Sequence, residues 1–114
     1  MILILAAMPQ ELEAIKYYME ITRTQVYQNT TVYEGTIDHK PVLLALTGIG
    51  KVSTAMTLMT ILNNEPVSSI LNIGSAGGLG DHQQIGDIVI ASSGSFHDRF
   101  FTDQPDLSDK NKFT

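Results

Sequence analysis

The chain has 114 residues, 43% of them hydrophobic and 17% charged, with a net charge of −5. That size and balance suit one globular domain with a modest core, and exclude a disordered chain. The acidic balance and seven scattered Lys and Arg argue against nucleic acid or an anionic membrane as partner, and zero cysteines exclude disulfides and thiolate metal sites.

In chain order, Ile2 to Ala7 is a continuous apolar run, the pattern of a strand covered on both faces. It is too short for a membrane span of roughly 20 residues, and it lacks the basic start of a signal peptide, so a cytoplasmic protein is expected. Pro9 suits the first turn of a helix, and Leu12, Ile15 and Met19 follow at helical spacing, predicting a helix from about Pro9 to Ile21. Thr31 to Ile37 and Pro41 to Thr47 read as two strands joined by a turn at Asp38-His39-Lys40. Gly48 and Gly50 interrupt the second strand. Val52, Ala55, Met56, Met59 and Leu62 then mark a second helix, widened on its apolar face by Leu58 and Ile61 and expected to be well buried. Asn63-Asn64-Glu65-Pro66 ends it. Ser69 to Ile73 and Asp87 to Ser92 are two further predicted strands. The fold class is α/β, a mixed central sheet flanked by helices. Residues 1–98 form the organised part, and the polar stretch 99–114 is expected to be a mobile tail.

The glycine-rich stretches do not match nucleotide-binding loops. A phosphate loop that used Gly50-Lys51 would need glycine at Ala45 and Ser or Thr at Val52. Gly74-Ser75-Ala76-Gly77-Gly78 has Ala76 where a dinucleotide fingerprint has its second glycine. What remains is placement. The first strand ends at Met8 and two others end in glycine turns, after Thr47 and after Ile73, and ligands of open α/β sheets bind beyond the carboxyl ends of the strands. The turns can be ordinary connections or the rim of a ligand site. Glu11 has the same two readings. It is an acidic residue favoured by the helix dipole, or a carboxylate aimed at the crevice and able to take a proton from water. His97-Asp98 are adjacent and point to opposite faces in a strand. His39 and His82 fall in predicted loops, and no His/Asp/Glu group has metal-ligand spacing, so neither a metal nor a cofactor is expected.

Four blocks carry a family resemblance in order and in register: Ala7-Met8 with Glu11, Gly48 to Val52, Asn72 with Gly74 to Gly78, and Gly86 to Val89. Together they resemble the amino-terminal half of the 5′-methylthioadenosine/S-adenosylhomocysteine nucleosidases, in the nucleoside phosphorylase superfamily. The resemblance runs from Met1 to about Asp98. It implies a nucleoside phosphorylase-like fold, apparently truncated, and hydrolysis of the bond between adenine and ribose through an oxocarbenium-like transition state. It implies that Glu11 orients the attacking water and that Ser75 helps to hold it. Met8 and Ile49 match positions lining the ribose and 5′-thio pocket, with Ala76 and Gly77 in the turn that approaches the substrate.

The resemblance further implies a small thio-nucleoside substrate, and a homodimer or association through an exposed sheet edge. Phosphorylases of the superfamily carry an arginine before the strand-end turn. Here Leu71-Asn72-Ile73 stands there, which favours water over phosphate as nucleophile. The family's later segments, with the ribose-gripping Met-Glu pair, the aromatic on adenine and the acid that protonates the purine, have no counterpart in these residues. The isolated chain is therefore expected to be inactive or nearly so. Ser108-Asp109 lies in the polar tail and takes no role, and Phe100 or Phe101 could reach a neighbouring subunit's pocket.

Overall fold

The computed structural model describes residues 1–95. They divide into two units, one of Met1–Ala76 and one that starts at Gly77.

The first unit holds a mixed five-stranded sheet in the order β2-β3-β4-β1-β5. β1 (Ile2–Ala6) lies between β4 (Lys40–Leu46) and β5 (Ser69–Ile73) and is parallel to both, with Leu3 opposite Leu43 on one side and Ile70 on the other. Its alternate residues feed two cores. Leu3 and Leu5 pack with Val32, Leu43, Ala45 and Ile61, and Ile4 and Ala6 pack with Leu12, Met19, Val42 and Leu44. Both faces are covered, which is why the run Ile2 to Ala7 shows no polar alternation.

α1 (Pro9–Tyr17) covers one face through Leu12 and Ile15, and α2 (Lys51–Asn64) the other through Ile61 and Leu58. α1 is shorter than its apolar spacing predicts. The Tyr18 and Met19 N–H groups close its last turn on Ile15 and Lys16, and Met19 is buried just past the helix end. The chain then enters β2 (Glu20–Tyr27), a strand missed in the sequence although Ile21, Thr22, Thr24, Val26 and Tyr27 all favour strands. Because β2 is an outer strand and almost wholly exposed, burial leaves no alternating trace along it.

β2 pairs antiparallel with β3 (Thr30–Ile37), and β3 with β4. Each two-residue turn has positive φ at both positions, 46° and 70° at Gln28 and Asn29, and 52° and 67° at Asp38 and His39. That conformation matches the twist of the flanking strands. Gly35 has no room for a side chain: a Cβ would clash with the Glu20 carbonyl oxygen, beside the register shift between Ile21 and Arg23.

The apolar face of α2 differs from the expected one. Val52, Met56 and Met59 are 73%, 67% and 56% exposed, while Ile61 is fully buried. The apolar residues of the helix spread over more than half of its circumference, so spacing alone does not select the face the sheet covers. Just past its end, the Glu65 carboxylate, only 5% exposed, receives hydrogen bonds from Arg23 Nη2 (2.7 Å) and the Tyr27 hydroxyl (2.6 Å). Arg23 also donates to Glu34 (2.7 Å). This cluster ties the β2–β3 hairpin to the α2–β5 connection.

In the second unit the expected strand at Asp87–Ser92 is not formed. Gln84 to Asp87 close a turn instead, with the Asp87 N–H on the Gln84 carbonyl and the Gln84 N–H on Asp87 Oδ2, and Gly86 at φ 96°. Ile88 and Ile90 are both 92% exposed. A strand needs a ladder partner, and none pairs with these residues within the described chain. His97, Asp98, Phe100, Phe101, Ser108 and Asp109 lie outside the described residues.

Candidate functional site

The ends of β1, β4 and β5 converge because the three strands are parallel neighbours. Thr47 pins the end of β4 to the end of β1: it is buried, and its N–H donates to the Ala6 carbonyl at 2.8 Å. Its hydroxyl donates to the Gly48 carbonyl at 2.8 Å, and the Ser53 hydroxyl returns from α2 to the Thr47 carbonyl. Gly48 at φ 75° and Gly50 at φ 110° turn the chain into α2, a conformation that side chains with a Cβ disfavour. The Gly50 carbonyl accepts the Thr54 N–H as the first helical bond.

Beyond β1, the Met8 carbonyl accepts the N–H groups of Glu11 and Leu12, both at 3.1 Å. Pro9 has no N–H to satisfy. Glu11 reaches back, and its Oε1 accepts the Met8 N–H at 3.0 Å. This is the carboxylate half of a capping box; a methionine at the cap has no side-chain oxygen for the reciprocal bond. The other carboxylate oxygen, Oε2, is buried and has no hydrogen-bond partner. A carboxylate oxygen so placed costs free energy, on the order of 1–3 kcal/mol, unless a hydrogen-bond donor reaches it.

Ala7, Met8, Glu11, Ile49, Asn72, Ile73, Gly74 and Ser75 line an open cleft of about 460 Å³. Four of the six residues assigned from the sequence, Met8, Glu11, Ile49 and Ser75, therefore meet in one place. Ala76 is exposed and closes the first unit without lining the cleft, and Gly77 begins the second unit. Asn72 and Gly74 were legible as parts of a motif but carried no assigned role; their signal was their place at the carboxyl end of a strand. Among the described residues none that lines the cleft is a Lys or Arg, and Glu11 is the single ionisable side chain of that lining. Among the described residues no group of three His, Cys, Asp or Glu side chains could hold a metal ion, and no helix is long and apolar enough to cross a membrane.

The chain is similar in sequence and in fold to several nucleosidases. A 5′-methylthioadenosine/S-adenosylhomocysteine nucleosidase of Haemophilus influenzae (strain PittEE) is 38% identical over 96 residues, which are 83% of this chain and 42% of that protein. The crystal structure of the Streptococcus pneumoniae MTA/SAH nucleosidase in complex with 8-aminoadenine superposes with a TM-score of 0.83 at 37% identity, covering 89% of this chain and 45% of that one. The Neisseria meningitidis nucleosidase in complex with methylthio-immucillin-A gives 0.81 at 36% identity, over 89% and 44%. The chain thus spans less than half the length of the relatives it matches. A profile of the phosphorylase superfamily matches residues 1–109. With that match over nearly the whole sequence, and the shared mixed sheet behind it, the chain belongs to the phosphorylase superfamily.

Proposed function

We propose that the protein acts in hydrolysis of the N-glycosidic bond of 5′-methylthioadenosine and S-adenosylhomocysteine, releasing adenine, and that this chain supplies the water-activating side of the site. The observation that carries the reading is the Glu11 carboxylate, held by the Met8 N–H through one oxygen while the other is buried and unpartnered. Cleavage passes through a sugar with oxocarbenium character, and the incoming water must be oriented and relieved of a proton. Glu11 is the base in this reading. Ser75 holds the water, and Met8 and Ile49 line an apolar wall against the ribose and the 5′-thio group. Ala76 and Gly77 continue the turn that lets backbone approach the substrate.

Among the described residues the cleft lining holds no Lys or Arg, and such a lining is a poor phosphate site, which favours water over phosphate as nucleophile. By the same reading the protein is cytoplasmic, serves methionine salvage and self-associates. The exposed α2 stripe of Val52, Met56 and Met59 supports a homodimer, and Ile70 and Leu71, 46% and 51% exposed on the outer strand β5, support association at the sheet edge.

A second reading rests on Glu11 being the only ionisable group among the described residues that line the cleft. Without an acid for the departing purine the chain binds a nucleoside and does not cleave it. Adenine release from 5′-methylthioadenosine by the purified protein, with and without phosphate, separates these. Release that is independent of phosphate and lost in Glu11→Gln is the expected result for the hydrolase. Release that requires phosphate would replace it with a phosphorylase. Binding without release would leave the nucleoside-binding reading.

A further inference from the structure

Gly74 stands directly after β5, and its backbone does not explain why it is glycine. The glycines at positive φ are Gly48, Gly50 and Gly86, so Gly74 has a conformation open to other residues. The space beside it gives the reason. A Cβ on Gly74 would lie 3.0 Å from Glu11 Oε2 and 3.9 Å from the Glu11 carboxyl carbon. The first distance is shorter than ordinary van der Waals contact. The carboxylate cannot simply retreat, because Oε1 is tied to the Met8 N–H at 3.0 Å. Oε2, the oxygen that meets Gly74, is the buried one without a hydrogen bond.

We infer that Gly74 is a positioning residue: the missing side chain is the seat of Glu11 Oε2, and it holds the carboxylate against the end of β5 with Oε1 on the Met8 N–H. The seat is read from geometry alone. Its catalytic consequence rests on the proposed role of Glu11 as base. A methyl group at residue 74 turns the carboxylate and lengthens the bond to Met8. Misplacement by about 1 Å can cost on the order of 100-fold in rate. A shift of a few tenths of an ångström is then expected to lower kcat by roughly tenfold, with KM changed far less.

The test has two parts that do not need turnover. The Met8 amide resonance is compared in the parent, in Gly74→Ala and in Glu11→Ala, where the bond is gone. The expected result is that Gly74→Ala moves Met8 more than halfway toward the Glu11→Ala position. An unmoved Met8 resonance overturns the inference. The second part is a double-mutant cycle in urea. Gly74→Ala should lower the unfolding midpoint in the parent and leave it unchanged or raise it in the Glu11→Ala background, where only the restriction of the unfolded chain remains. An equal drop in both backgrounds means that residue 74 needs glycine for another reason, and overturns it. If Gly74→Ala alone does not fold, recovery of folding in Gly74→Ala/Glu11→Ala supports the seat, and failure of both removes it. Loss of the hydrolase reading would show as adenine release that requires phosphate, with both of these measurements still decisive.

Discussion

The two helices cover opposite faces of one sheet, yet only one of them wears its inner face openly. α1 has few apolar residues, and Leu12 and Ile15 are the ones that meet the sheet. The apolar residues of α2 spread over more than half of its circumference. Its most regular repeat, Val52-Met56-Met59, points away from the sheet, and only Ile61 is fully buried. Sparse apolar residues name a face, whereas abundant ones leave the choice to the strands beneath. The surplus on α2 is an exposed apolar stripe of the sort that marks an interaction surface.

The contrast can be tested by substitution, starting with the residues that anchor each helix. Ile61→Ala and Leu12→Ala should each cost about 2–5 kcal/mol in urea unfolding, since each removes a buried side chain from one core. A small loss at Ile61 would mean that α2 leans on the sheet through another face. Next comes the lock beyond α2. Glu65→Gln should cost about 1–3 kcal/mol, because Arg23 and Tyr27 lose the carboxylate they share.

This lock is also pH-dependent. Burial pushes the Glu65 carboxyl up, but the Tyr27 and Arg23 hydrogen bonds outweigh it and hold the group below its ordinary value of 4.5. In turn, Glu65 raises the Tyr27 hydroxyl, and Glu34 with Glu65 raises Arg23. A carboxyl lowered on folding contributes stability above its unfolded value and loses it as pH falls through the folded one. The gap in stability between parent and Glu65→Gln should therefore be full at pH 7 and close on acidification below 4.5. A gap that stays constant with pH would show that the carboxylate is not the source.

Lys16→Met gives a smaller effect on α1. The Lys16 ammonium lies 4.4 Å from the Tyr33 ring centroid, and its loss should cost about 0.5–1 kcal/mol. The smallest change belongs to the outer stripe of α2. Met56→Glu should alter unfolding by less than about 0.5 kcal/mol at concentrations where the protein is monomeric. In sedimentation it should shift any self-association toward the monomer. A large loss of monomer stability would place Met56 in the core and erase the difference between the helices.

Much of the site was legible because its parts are local. Met8, Pro9 and Glu11 read as a strand end followed by a helix start, and the glycines after Thr47 and Ile73 read as turns. The resemblance then supplied roles that spacing could not, such as water for Glu11 and ribose for Met8. What spacing could not supply was the contact between residues 11 and 74, which lie on different elements. β2 was missed for a related reason: an outer strand with both faces in solvent carries neither an apolar run nor an alternation. The strand expected at Asp87–Ser92 shows the reverse case. Its apolar run is real, but a run states a preference, and pairing requires a partner.

By itself the sequence determined the α/β class, the buried β1, the turn at Asp38-His39 and the candidate carboxylate, because these depend on neighbours within a few residues. The tertiary structure alone decided which side of α2 is buried, that Arg23, Tyr27 and Glu65 share one lock, and that Glu11 Oε2 occupies the space a side chain at Gly74 would fill. Each of these depends on distance between residues far apart in the chain, and one-dimensional spacing holds no record of that distance.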